Sequence, residues 1–410
     1  MPGVVMLAAA AGKVLCPLPP DKLAKAIALS HWSAGLYFGG TAWLVVTLWL
    51  LLRLRVGARV QRLAERVSAR AWVQGLVVAP AWLLILSALD LPGALLGHHV
   101  GVAFGLSVER WGAWWGDWGK SLALTVLLGT VVLAVLYALI RHAPRRWWLW
   151  FWVFTVPTMV VTTFAAPLVI DPLFNHFTLL EKSDPALVVQ LERVAAKGGL
   201  QIPPDRIYLM DASQKVTGPN AYVTGLGTSK RIVVWDTTLK EETPDEILFT
   251  YGHEQGHYVL HHIAKGLTFA AAVLFLAYWI AYRLLGWLVR RRGATWGIES
   301  VGSWSSLGLV LLVVTVLSFF GDPVGNAFSR HIEHQADVYG QEVIHGLVPN
   351  AQAAAVESFC SDAQNWLDNP DPNPFVEFWT YSHPSTEQRA EFAAHYDPWL
   401  PGQQPRYFRK

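Results

Sequence analysis

The sequence predicts a predominantly α-helical, polytopic membrane protein with about six transmembrane helices. Three observations carry that reading. The chain has 410 residues, 53% of them hydrophobic and only 15% charged, whereas an ordinary soluble domain carries about 25% charged residues. Its mean hydropathy is positive, at +0.32. Six stretches reach the length of about 20 apolar residues that a helix needs to cross a hydrocarbon core: 33–52, 72–91, 121–140, 149–170, 266–289 and 303–320. The 21 tryptophans suit aromatic belts at the two membrane surfaces.

Taken in order, residues 1–30 form a leader or signal-like segment. Its apolar run is too short to span, and no basic stretch precedes it. A four-span region follows over 31–170. A mixed, polar region occupies 171–265, two further spans 266–320, and a soluble-looking region rich in Asn, Asp, Pro and Gln occupies 321–410. The two cysteines, Cys16 and Cys360, are far apart and indicate neither a disulfide framework nor a cysteine metal site. The net charge of +2 carries no sign of a nucleic-acid partner; the partners expected are the lipid bilayer and whatever the polar regions act on.

Loop charge speaks to orientation. Arg53, Arg55, Arg59, Arg62, Arg66 and Arg70 follow the first span, Arg141, Arg145 and Arg146 the third, and Arg290, Arg291 and Arg292 the fifth. With six spans these loops share one side, which the positive-inside rule assigns to the cytoplasm. The polar regions fall on the other side, the periplasm or exterior.

The chemistry is concentrated in "PDEILFTYGHEQGHYVLHH" at 244–262. Thr243 reads as a helix N-cap with Pro244 in the first position. His253 and His257, four apart, share a helix face and can hold one metal ion. Glu254 lies beside them as a general base, the arrangement of H-E-x-x-H zinc hydrolases. Zinc lowers the pKa of its water to about 7, within reach of such a base. The five-residue pattern alone is common by chance, so a further ligand is required. Ile263 occupies the place of a metzincin third histidine, and His261 and His262 read as solvated or interfacial. The better candidate is Glu333 in "NAFSRHIEHQAD" (326–337), with Asp337 four residues on as a carboxylate that orients a ligating histidine. His331 and His334 read as bystanders.

These stretches together resemble the type-I CAAX prenyl endopeptidases, integral-membrane zinc metalloproteases of gluzincin type. "GPNAYVTGLGTSKRIVVWDTTL" (218–239), "SHPSTEQR" (382–389) and "HWSAGLYFGG" (31–40) match further parts of the family's pattern, so the likeness runs from about residue 30 to 395. The resemblance implies a zinc metalloprotease domain with a small β-sheet, holding one Zn2+ per chain through His253, His257 and Glu333. It makes Glu254 the base, His383 the oxyanion donor with Arg389 as its supporting charge, and Asn220 and Ala221 the edge that presents backbone to substrate. Two departures stand out. The family has seven spans and this chain six, the first being absent or replaced by residues 1–29. The family's zinc side also faces the cytosol, against the arginine loops here.

The function expected is therefore zinc-dependent hydrolysis of peptide bonds in peptide or membrane-protein substrates. The Ala, Gly, Trp and Arg usage looks bacterial, which favours quality control of membrane proteins in an inner membrane over prenylated substrates. The competing class is a scaffold or transporter with a vestigial metal site; intact His253, Glu254, His257 and Glu333 argue against it.

Overall fold

The computed structural model describes residues 14–225 and 231–408. Its membrane part is built from α1 (Pro20–Arg53), a short α2 (Val56–Val67), α3 (Ala71–Ala103), α4 (Trp111–His142) and α5 (Trp147–Val169), the last running on into the one-turn α6 (Asp171–Phe174). Then come β1 (Phe177–Leu179), α7 (Pro185–Lys197), β2 (Ile207–Met210), β3 (Ala221–Thr224), β4 (Arg231–Trp235), α8 (Asp236–Glu241) and α9 (Pro244–Val259). The two remaining long helices are α10 (His262–Trp296) and α11 (Leu307–Ile344), followed by α12 (Ala351–Asn365), α13 (Pro374–Thr380) and α14 (Thr386–His395).

Among the described residues six helices are long and apolar enough to cross a membrane. α1, α3, α4 and α10 overrun at both ends the apolar stretches that mark them in the sequence, and α11 overruns its stretch at the C-terminal end, because a helix does not stop at the edge of the hydrocarbon. The 38 residues of α11 rise about 57 Å, nearly twice the hydrocarbon thickness. Its first half is apolar, and its second half continues into the polar domain with Glu333 and Asp337. α1 starts at Pro20, with Asp21 in its first turn, so the segment expected as a leader is partly helix. Residues 1–13 lie outside the described residues.

The spans alternate in direction. Arg55 donates from Nε to Thr295 O (2.9 Å), Arg141 Nε to Gly302 O (2.9 Å), and Gln61 Oε1 accepts from Ser305 N (2.7 Å). The three arginine loops therefore gather at one end of the bundle. At the other end Val108 N bonds Lys215 O (3.0 Å), tying the α3–α4 turn to the polar domain. An apolar cluster around Leu48, Trp82, Tyr137, Trp304 and Leu307 holds the membrane part together.

The polar domain has its own core, drawn from Leu191, Ile232, Phe249, Val343 and Phe359 among others. Its four-stranded sheet has the order β1-β2-β4-β3, with β2 and β4 parallel and the outer pairs antiparallel. β4 reads RIVVW, and its β-branched residues are fully buried, as a central strand requires. Among the described residues β3 is an edge, paired on one side only.

The cysteines correct the sequence reading. Cys16 and Cys360 form a disulfide. The segment before α1 folds back over the polar domain, where Leu15 N and Cys16 N donate to the Glu387 carboxylate (2.7 and 3.1 Å) at the start of α14. A pairing across 344 residues leaves no spacing pattern to find.

Candidate active site

α9 begins with a capping box. Thr243 accepts from Glu246 N, and the Glu246 carboxylate returns the bond to Thr243 N. Pro244 supplies its preset φ at the first helical position. α9 crosses α11 at very close range, which glycines permit. A Cβ on Gly340 would lie 2.8 Å from His253 N, and one on Gly252 2.9 Å from Val343 Cγ1. The crossing brings the two polar helix faces into one site.

Three atoms converge there. His253 Nε2 lies 3.1 Å from His257 Nε2 and 3.2 Å from Glu333 Oε2, and His257 Nε2 lies 3.5 Å from Glu333 Oε2. Ligands at about 2.0–2.1 Å in tetrahedral array around zinc stand about 3.3 Å apart, so this triangle has the size of a zinc face. Glu333 is 7% exposed, and its Oε2 accepts no well-formed hydrogen bond despite that burial. A buried acceptor left this way fits a cation as its partner. Glu254 Oε1 is farther out, 3.9 Å from His253 Nε2. His253, Glu254 and His257 also form a compact donor group, but Glu333 lies closer to His253 than Glu254 does, so the two histidines and Glu333 are the residues that could hold a metal.

The two imidazoles are held from behind. Asp337 Oδ1 lies 2.8 Å from His253 Nδ1, and Arg389 forks onto Asp337, Nε to Oδ2 at 3.0 Å and Nη2 to Oδ1 at 2.6 Å. Arg389 is itself stacked 4.4 Å over Phe359. The resemblance makes Arg389 the support of His383; in the structure its guanidinium serves Asp337. His262 corrects a second expectation. It is buried (2% exposed), with Nδ1 3.1 Å from His257 Nδ1 and Nε2 3.1 Å from Gln335 Oε1. If His257 ligates through Nε2, its Nδ1–H donates to His262, whose Nε2–H donates to Gln335. Of the bystanders, His331 accepts from Gln335 Nε2 (2.8 Å) and His334 packs on Phe392.

His383 reaches the centre from the loop after α13. Its Nε2 lies 3.3 Å from Glu333 Oε2, and Ser382 Oγ lies 2.9 Å from its Nδ1. The loop is carried by α11: Asn326 Nδ2 donates to Trp379 O (2.6 Å) and Arg330 Nη1 to Tyr381 O (2.5 Å). Asn326, Arg330, Glu333 and Asp337 step by 4, 3 and 4 along one helix face. A cavity of about 480 Å3 opens beside these groups, with Asn220, Glu254, His383, Glu242, Asp362 and Asp368 in its wall. Ala221 is buried in β3 and does not line the cavity; Asn220 precedes it at the rim.

Charge is tightly arranged. Burial opposes protonation of His253, but Asp337 and Glu333 outweigh it and raise the imidazole to about 10. Protons and metal ions compete for the same lone pair, so a field that favours one favours the other. Burial raises Glu254 above the usual carboxylate range, against the pull of His253 and His257, with Glu333 adding to the rise. A raised carboxylate is the better proton acceptor near neutral pH. Burial would strip charge from Arg389, but Asp337 more than offsets it and keeps the guanidinium charged.

Fold and site together define an integral-membrane metalloendopeptidase. The profile of peptidase family M48 matches residues 181–397, and that of the CAAX prenyl protease N-terminal region, described as five membrane helices, matches 18–176. The chain belongs to peptidase family M48. It is 32% identical over 376 residues to the uncharacterized metalloprotease YhfN of Bacillus subtilis, covering 92% of this chain and 86% of that one. It is 28% identical over 318 residues to CAAX prenyl protease 1 of Saccharomyces cerevisiae, covering 73% and 67%. The crystal structure of S. mikatae Ste24p shares its fold, with a TM-score of 0.79, 22% identity, and coverage of 94% of this chain and 92% of that chain.

Proposed function

We propose that this metalloendopeptidase works with one zinc ion held by His253, His257 and Glu333. The observation that carries the reading is the triangle of His253 Nε2, His257 Nε2 and Glu333 Oε2 at 3.1, 3.2 and 3.5 Å. Zinc bound there supplies a polarised water and a Lewis acid for the scissile carbonyl. Glu254 takes the proton from the attacking water and returns it to the leaving amine. His383 donates from Nε2 to the oxygen on which negative charge develops. Asp337 fixes the tautomer of His253, Arg389 fixes Asp337, and His262 does for His257 what Asp337 does for His253. The free edge of β3, entered at Asn220, seats an extended substrate by main-chain bonds. Metal analysis of the purified chain tests this: about one zinc per chain is expected, with activity abolished by phenanthroline. Full activity in zinc-free protein would end the proposal.

The catalytic end is proposed to face the periplasm or exterior. Two independent features support it: the arginine loops gather at the opposite end, and the Cys16–Cys360 disulfide lies on the catalytic end, in keeping with an oxidising compartment. Cysteine introduced at the exposed Lys240 should label in intact cells with a membrane-impermeant thiol reagent. Labelling only after cell breakage would reverse the assignment. Damaged or misfolded membrane proteins are the proposed substrates. The polar wall of the cavity, with Glu242, Asp362 and Asp368, supports peptide over isoprenoid recognition. Equal cleavage rates for a peptide and its prenylated form are expected; strict dependence on the prenyl group would refute it.

A further inference from the structure

At the end of the bundle opposite the active site lies a second cavity, of about 570 Å3, between the ends of α4 and α10 and the loop that leads to α11. Arg141, Arg290, Ser300 and Ser303 form its polar wall, and Trp147 and Tyr282 belong to its apolar one. Arg141 is the penultimate residue of α4. It is pinned 4.7 Å over the Trp304 ring and by its Nε bond to Gly302 O, which uses one of five donors. Among the described residues neither Arg141 nor Arg290 has a carboxylate within ion-pair distance. The loops at this end carry twelve arginines against two acids, Glu65 and Glu299; Glu65 is taken up by Gln61 (2.7 Å), and Glu299 forms no ion pair among the described residues. With 35 residues, α10 is about 52 Å long, so its end rises out of the hydrocarbon into the headgroup layer.

We infer that this cavity is a seat for the phosphate of an anionic phospholipid, held by Arg141 and Arg290 with Ser300 beside them and the lipid's upper chain against Trp147 and Tyr282. Guanidinium groups are the side chains best matched to phosphate oxygens, and basic pockets between spans are where membranes supply them. The aromatic wall distinguishes a lipid from a free phosphate, which has nothing to place there.

Native mass spectrometry of the full chain in detergent, titrated with phosphatidylglycerol or phosphatidylcholine, tests the seat. One phosphatidylglycerol should bind per chain, at least about tenfold more tightly than phosphatidylcholine. Arg290→Gln should weaken it about fivefold, the share of one arginine near a charged lipid surface. Ser300→Asp, a substitution at an exposed position, should abolish it without touching the fold, whereas Arg59→Gln on α2 should change it less than about twofold. Equal losses for Arg59→Gln and Arg290→Gln would show diffuse attraction and overturn the proposal. So would failure to discriminate the two lipids, or displacement of phosphatidylglycerol by millimolar inorganic phosphate.

Discussion

Asp337→Asn separates holding the metal from making the bond break. Asp337 is 5% exposed and serves two partners, His253 through Oδ1 and Arg389 through both oxygens. Asparagine has one acceptor oxygen. If that oxygen stays on His253 and Arg389 Nη2, the amide nitrogen meets Arg389 Nε at 3.0 Å, donor against donor. If the amide flips, its NH2 meets His253 Nδ1–H instead. The first orientation loses one bond and the flipped one loses two, those from His253 and Arg389 Nη2, and in both the negative charge that makes His253 a strong donor is gone. Loss of such a supporting carboxylate costs about 10–100-fold in metal affinity or activity. The expected result is a zinc Kd raised about 10–100-fold by chelator competition, with kcat largely restored at saturating zinc. Arg389→Lys keeps the charge but not the fork and should fall between wild type and Asp337→Asn. A zinc Kd within about twofold of wild type for Asp337→Asn would refute the argument.

Glu254→Gln should retain zinc and lose about 10²–10⁴-fold in turnover; more than about a tenth of the wild-type rate would remove Glu254 as base. His383→Ala should lower kcat about 10²–10³-fold with zinc content unchanged, and an unaltered kcat would return it to the surface. Gly340→Ala should cost about 1–3 kcal/mol of stability, because its Cβ has only the α9 backbone to meet; an unshifted melting curve would show that the helices can part freely. Burial, then Asp362 and Glu246, raises Glu242 to about 8, and burial with Asp368 raises Asp362 to about 7. The folded chain therefore keeps protons that the unfolded chain has released, so stability should fall as pH rises from about 5 to 8. Glu242→Gln should flatten the fall, and equal slopes for the two proteins would contradict the burial.

The spans and the metal helix were legible because each is a local pattern: about 20 apolar residues, or two histidines four apart. Glu333 and Asp337 were legible for the same reason, and their stripe extends back to Arg330 and Asn326, a signal present in the sequence whose partners were not. His383 needed the family resemblance, since nothing in a Ser-His-Pro turn says what it folds against. His262 was hidden by geometry. On a continuous helix it lies off the ligand face, but α9 stops at Val259 and His261 turns through φ 59°. A new helix then starts and carries His262 back against His257. The disulfide was hidden by distance alone.

That disulfide turns residues 16–360 into a covalent ring. The ring contains every proposed zinc ligand, the base and Asp337; His383 and Arg389 lie on the tail beyond it. A single cut anywhere within the ring, whether by a foreign protease or by a neighbouring copy of this one, opens it without releasing a piece. The nicked molecule stays one covalent unit and would separate into fragments only on a reducing gel. A membrane peptidase joined in this way keeps its halves together after its first cut.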